Sequence, residues 1–248
     1  PAISLARELI SEGRLGKIYH VRAVYLQDWI MDPNFPLVWR LKTEIAGSGS
    51  HGDLNSHLID LTRYLLETEF EEVCGMAETF IKERPIEISG GGLAAGKVTK
   101  KKGKVDVDDA VLFLAKLKNG AIGSFEATRF AKGRRNGNQI EINGSKGTIV
   151  FNFERMNELQ FFDDTLPKRE QGFRRILATE PVHPYIHGYW PPGHIIGYEH
   201  TFINTVVDMM NHLAGKLKTF HADFEDGLRC QEVLDAVLLS CKERRWVR

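Results

Sequence analysis

From Ala110 to Asp163 the chain repeats one pattern, a short run of aliphatic, β-branched and aromatic residues followed by a polar break. The runs are "AVLFLAKL", "AIGSFEATRF", "QIEINGS", "GTIVFNF" and "ELQFFD"; the breaks are "KNG", "GRRNGN", "GSKG" and "ERMN". Runs this short cannot hold a helical stripe, whereas strands need only a few residues and a turn at each end. Asn119-Gly120 between two apolar runs is a strong hairpin signal. The middle of the chain therefore reads as an antiparallel sheet.

The flanks add two strands and four helices, one of them at the very start of the chain. "GKIYHVRAVYLQDWI" (16–30) and "EEVCGMAETFIKE" (71–83) carry strand composition. Residues 48–66 switch to helical spacing, with Leu54, Leu58, Leu61, Leu65 and Leu66 as the apolar stripe. A helix over 198–214 is expected to turn Phe202, Ile203, Val206, Val207, Met210 and Leu213 inward. One over 224–242 is expected to bury Leu228, Leu234, Val237, Leu238 and Cys241. The glycine-rich, then basic segment 89–104 reads as a mobile hairpin tip, because no helix follows its glycines to present an N-terminus to an anion. The fold class is α+β: a large, mostly antiparallel open sheet with helices on one face.

The 248 residues can bury a sizeable core. Lys plus Arg and Asp plus Glu number 33 each, so nothing points to nucleic acid. The longest apolar runs, such as "AVLL" at 236–239, are far too short to span a membrane. Cys74, Cys230 and Cys241 form no metal or disulfide pattern; buried thiols in a reducing, cytoplasmic setting are expected. The chain opens at Pro1 directly in a helical pattern (Ile3, Ala6, Leu9, Ile10, stopped by Gly13), as though entered partway.

The densest chemistry lies in "GSGSHGDLNSHLID" (47–60). Asp53 and His57, four apart on a helix, share a face, and Asp60 falls near the same stripe. His51 stands about 200° from Asp53 at 100° per residue. Three uses are open. The polar groups could cap and satisfy a helix start. They could hold a metal, although His51 points elsewhere. They could bind and deprotonate a hydroxyl, imidazole titrating near neutrality and a carboxylate steadying the partner; only this use explains the small residues around them, as clearance for a ligand. Gln27 and Trp29, two apart in a strand, suit a sugar, the indole covering C–H groups and the amide satisfying hydroxyls. The loop "HPYIHGYWPPGH" (183–194) offers Tyr185, Trp190 and His194 to the same pocket.

"GSGSHGDLNSHLIDLTRYLL" resembles the GGGxLxDxGxHxxD segment of the Gfo/Idh/MocA oxidoreductases, the family of glucose-fructose oxidoreductase and inositol dehydrogenase. "PAISLARELISEGRLGKIYHVRA", "VWRL", "PPGHIIGYEHTFINTVVDMM" and "FHADFEDGLRCQEVLDAVLLSCKERRWV" resemble other parts of the same family, so the likeness covers nearly the whole chain. It implies the open-sheet fold of that family's C-terminal domain, which is glyceraldehyde-3-phosphate dehydrogenase-like. Residues 1–15 would continue from a Rossmann domain not in this chain, 16–222 would form the substrate-binding sheet domain, and 223–248 a closing helix and tail. The implied activity is oxidation of a sugar or polyol hydroxyl with NAD or NADP. His57 would be general base or proton relay with Asp53, Trp39 and Arg40 would lie beside the cofactor, no metal would be needed, and the open sheet face would pair subunits into a homodimer or homotetramer. The departures are the absence of a dinucleotide-binding G-x-G-x-x-G fingerprint and of the EKP lysine motif, with Ser50 and Asn55 where the family carries glycine. A noncatalytic binding or dimerisation module, and a metal-dependent hydrolase centred on His51, Asp53 and His57, are the competing readings.

Overall fold

The computed structural model describes residues 1–88 and 97–248. The strands are β1 (Ile18–Leu26), β2 (Phe70–Glu78), β3 (Glu83–Glu87), β4 (Val98–Lys104), β5 (Ala110–Leu117), β6 (Ile122–Thr128), β7 (Gly137–Gly144), β8 (Gly147–Asn152), β9 (Glu158–Asp163) and β10 (Arg174–Leu177). The helices are α1 (Ala2–Ser11), α2 (Thr43–Ala46), α3 (Ser56–Leu66), α4 (Tyr198–Leu213) and α5 (Phe224–Glu243). Eight strands form one sheet in the order β10-β9-β8-β7-β1-β6-β5-β2; β3 and β4 pair separately. Every neighbour in the large sheet is antiparallel except β1 with β6. The expected sheet is therefore present, with one parallel pair at its centre. The glycine-rich part of the expected hairpin tip, 89–96, lies outside the described residues, and its basic half forms β4.

Alternation decides which side of the sheet is covered. In β5, Val111, Phe113, Ala115 and Leu117 are buried while Leu112 and Leu114 are exposed. Phe113 stacks on its β6 partner Phe125 at 4.6 Å between centroids. On the covered side, α3 contributes Leu58, Ile59 and Leu65, and α1 contributes Ala2, Ala6 and Leu9 to the same core cluster. Val233, Leu234 and Val237 of α5 and Val247 of the tail close that cluster, Val247 bridging to Val73 of β2. Each fully buried Leu or Val stabilises by about 1.5–3 kcal/mol. Residues from 1–15, 16–222 and 223–248 thus share one core. The outer side exposes Met76, Leu112, Leu114 and Ile122.

The two closing helices form where expected, but their orientation corrects the sequence reading. The apolar stripe of α4 faces out: Phe202, Ile203, Val206, Val207, Met210 and Leu213 are all exposed. Its polar side turns inward, with Asn204 accepting from the Tyr189 hydroxyl at 2.6 Å and Asp208 from the Tyr185 hydroxyl at 2.5 Å. Periodicity identifies an apolar side of a helix but not what lies against it. Leu228 of α5 is likewise exposed.

A second, smaller core joins Ile30, Phe35, Leu37, Val38 and Leu41 to Val105 and Val107. Arg84 runs through it, wholly buried, donating to the carbonyls of Ile30 (2.6 Å) and Asp32 (2.8 Å). Burial pulls the Arg84 guanidinium below its ordinary range, opposed by Asp109 and Asp32.

Candidate active site

The segment 47–60 is built from its first turn upward. Asp108, at the start of β5, accepts the Gly49 N–H at Oδ1 (2.8 Å) and both the Ser50 hydroxyl (2.7 Å) and the His51 N–H (2.8 Å) at Oδ2. A carboxylate spread over three donors fixes this turn against the sheet. A Cβ on Gly49 would sit 1.8 Å from the Asp108 carbonyl oxygen, so this glycine is required by backbone approach within the protein. Residues His51–Asn55 then form one π-helical turn before α3 begins. Ser50 and Asn55 are both buried; the Ser50 hydroxyl is held by Asp108, and the Asn55 amide nitrogen pairs with His51 Nδ1 inside the turn.

The turn sends its two histidines opposite ways. His51 is fully buried, its Nε2 paired with the Leu234 carbonyl at 3.0 Å and its Nδ1 with the Asn55 amide nitrogen at 2.9 Å. Those partners require a neutral ring that donates from Nε2 and accepts at Nδ1. Burial pushes its pKa down accordingly. His51 braces the turn on α5 and has no nitrogen left for a metal. Among the described residues no group of three His, Cys, Asp or Glu side chains could hold a metal ion.

Asp53 and His57 face solvent on the same stripe, as their spacing predicts. Asp53 Oδ2 pairs with Nη2 of Arg129 at 2.7 Å; Arg129 is 1% exposed and Asp53 about half. The His57 imidazole lies edge-on to Tyr25, with centroids 5.6 Å apart, and neither of its nitrogens has a hydrogen-bond partner among the described residues. The Tyr25 hydroxyl donates to Asn136 Oδ1 at 2.6 Å, and burial raises its pKa. Gln27 Nε2 reaches the same Asn136 oxygen at 3.3 Å, and Trp29 Nε1 donates to Gln27 Oε1 at 3.0 Å. The end of β1 therefore presents one linked polar chain, and Trp29 also lies against Arg129, 5.4 Å from guanidinium carbon to ring centroid.

His57 and Asp60 border a cavity of about 730 Å³ between α1, α3 and α4, lined also by Tyr64, Asn138, Tyr185 and Asp208. Tyr185 adopts a left-handed backbone (φ 68°), a conformation costly for a side chain with a Cβ. Burial and the Asp208 carboxylate raise its pKa. Trp190 and His194 do not line this cavity; both are exposed, with ring centroids 5.7 Å apart. Trp39 and Arg40 lie in a short turn, the indole about half exposed and the guanidinium 4.2 Å above its ring.

Sequence reasoning missed Arg129, Asp108, Asn136 and Tyr25. The one visible signal was an Arg and a pair of Asp set among apolar strand residues. It also expected no G-x-G-x-x-G, yet Gly47, Gly49 and Gly52 have that spacing. The run follows the short α2 rather than a strand, its N–H groups at 49 and 52 are taken by Asp108 and Ser48, and it cradles no phosphate. The three cysteines are free; burial pushes the Cys230 and Cys241 thiols up to about 11.

Fold and site together define an α+β open-sheet domain with a carboxylate and an imidazole side by side in solvent, one of them anchored to a buried arginine. The family model for the GFO/IDH/MocA C-terminal domain matches residues 3–150, and the chain belongs to that family. A levoglucosan dehydrogenase from Pseudarthrobacter phenanthrenivorans is 45% identical over 253 residues, covering all of this chain and 63% of that protein. An oxidoreductase domain protein from Kribbella flavida superposes with a TM-score of 0.92 at 52% identity, over 99% of this chain and 63% of its own. A levoglucosan dehydrogenase in complex with NADH and levoglucosan superposes at 0.89 with 42% identity, over 100% and 63%. The chain thus spans less than two thirds of the length of these relatives.

Proposed function

We propose that this chain forms the substrate-binding and catalytic part of an NAD- or NADP-dependent dehydrogenase that oxidises a hydroxyl of a sugar or polyol, with anhydrosugars of the levoglucosan type as first candidates. The observation that carries this reading is the pair itself: Asp53 and His57 share an open stripe, Asp53 held by Arg129 and His57 with both nitrogens free, within a chain 45% identical to a levoglucosan dehydrogenase. A bound nicotinamide would supply the hydride acceptor. His57 takes the proton of the reacting hydroxyl as general base or relay, and Asp53 holds the substrate by accepting a hydrogen bond from an adjacent hydroxyl. Gln27 and Trp29 line the approach from the end of β1, and Tyr185 meets the substrate across the cavity. Trp190 and His194 would reach it only if their loop closed over the cavity. The exposed Trp39 and half-buried Arg40 offer an aromatic face and a cation, which suits one edge of a dinucleotide; the 47–52 glycines have their N–H groups taken within the protein, so the rest would be held by the part of the relatives' length that this chain does not span.

The open sheet face, with Met76 opposite Leu112 and Leu114 and Ile122 nearby, would take a second copy of the chain into a homodimer or homotetramer. Free thiols suit the cytoplasm. No helix among the described residues is long and apolar enough to cross a membrane. The metal-hydrolase reading lacks its third ligand, because both nitrogens of His51 are bonded.

The test uses the full-length protein with a panel of anhydrosugars, sugars and polyols and both oxidised cofactors, followed by nicotinamide absorbance. Turnover on one class is expected, and no reduction with any member would sink the proposal. His57→Ala should lower turnover roughly 100-fold or more; wild-type turnover would remove His57 from the mechanism.

A further inference from the structure

Arg129 follows directly after β6 and carries a charge that the fold leaves almost uncompensated. Its guanidinium is buried and, among the described residues, its Nε and Nη1 have no hydrogen-bond partner and its only acceptor is Asp53 Oδ2. Trp29 covers the guanidinium, and Arg129 reaches Asp109 only through backbone, its own N–H donating to the Asp109 carbonyl at 3.0 Å. A buried guanidinium cannot shed its proton, so its charge must be met by a neighbour that stays ionised. Asp53 is that neighbour.

We infer that Arg129 is the positioning residue of the site, occupying Asp53 Oδ2 so that Oδ1 is left to accept from a substrate hydroxyl adjacent to the reacting one. This rests on the reading of Asp53 and His57 as the working pair, and it divides their labour. With Oδ2 taken by Arg129, Asp53 orients the substrate as an acceptor, and His57, with neither nitrogen bonded among the described residues, is the group left to take the proton. When the C–H hydride leaves for the nicotinamide and the C=O bond forms, the O–H proton passes to His57. A free, unanchored Asp could turn away; an anchored one fixes the substrate so that the reacting O–H points at His57, and a misplacement of about 1 Å at such a point costs on the order of 100-fold in rate.

The test is a double-mutant cycle in the full-length protein, comparing Arg129→Met, Asp53→Asn and both together. It is read by kcat and KM separately and, on the protein without cofactor, by calorimetric titration with the best sugar or polyol substrate. Arg129→Met should lower kcat on the order of 100-fold with a smaller change in KM. The double variant should be within about twofold of the worse single one, since Arg129 acts only through Asp53. It should also unfold at a higher temperature than Asp53→Asn, because no unpaired buried charge remains. Arg129→Lys should recover part of kcat, which guards against a Met variant that fails to fold. Additive losses, or wild-type kcat in Arg129→Met beside an impaired Asp53→Asn, would overturn this inference and leave the catalytic pair standing. Wild-type turnover in Asp53→Asn would overturn the pair and this inference with it.

Discussion

Arg84 and Arg129 are the two largest side chains buried completely, and they are spent in opposite ways. Arg84 sits in the smaller core and donates to main-chain carbonyls of the 30–35 loop, including a longer contact to Phe35 at 3.4 Å. Arg129 donates to one half-exposed carboxylate and leaves Nε and Nη1 without partners among the described residues, where Arg84 leaves Nε alone. An arginine whose terminal nitrogens are met by backbone is fixed by the fold alone, whereas one balanced by a solvent-facing carboxylate ties the fold to whatever that carboxylate binds. Orphaned donors cost stability, and a protein keeps them where the arrangement serves something else. The same contrast separates His51 from His57: one ring has both nitrogens bonded in the core, the other has both free at the cavity.

The largest effect should come from breaking the backbone-bonded member. Arg84→Met keeps the volume but strands the buried Ile30 carbonyl and removes the tie to the Asp32 and Phe35 carbonyls, and should lower unfolding free energy by about 3–5 kcal/mol in urea denaturation. A loss below about 1 kcal/mol would mean that water reaches those carbonyls, and the distinction between the two arginines would fade. Asp108→Asn should cost less, about 2–3 kcal/mol, because the amide keeps one acceptor oxygen but turns an NH2 toward donors that had a charged partner. Turnover should fall with it, since the Asp108 clamp sets where the π-helical turn places Asp53. Unchanged turnover in a destabilised Asp108→Asn would show that the turn finds its position without the clamp.

Much of the scaffold was legible in the chain. Alternation and Asn119-Gly120 announce the antiparallel strands because side-chain period and turn chemistry are local. The split between His51 and Asp53 followed from 100° per residue, and the π-helical turn between them did not disturb it. What stayed hidden was tertiary. Arg129 lies 76 residues from Asp53 and Asp108 lies 58 from Ser50, so no local spacing links them. The small residues around Ser50 invited reading as ligand clearance, yet Gly49 is needed for the Asp108 backbone. The outward stripe of α4 fails for the same reason: a helical period states that one side is apolar, while the Tyr185 and Tyr189 hydrogen bonds decide which side turns in.

The smallest effect tests the buried histidine against the open one. His51 is neutral in the fold, its pKa held below the ordinary 6.5 by burial. In the unfolded chain the ring gains a proton as pH falls through about 6.5, while in the fold it does so only at lower pH. Between those two points the unfolded state binds more protons, so stability is complete above about 6.5 and declines as pH falls toward the folded value. For one proton the slope cannot exceed about 1.4 kcal/mol per pH unit. Protonation would also put an N–H of Nδ1 against the Asn55 amide nitrogen, and the buried, unpartnered Asn55 Oδ1 is the acceptor that an amide flip would bring to it. Chemical denaturation across pH 4.5–8 should therefore show a decline in wild type that is shallower in His51→Gln. An equal slope in wild type and His51→Gln would mean that the buried ring takes up its proton in the fold as readily as in the unfolded chain, and would end the contrast between the two rings.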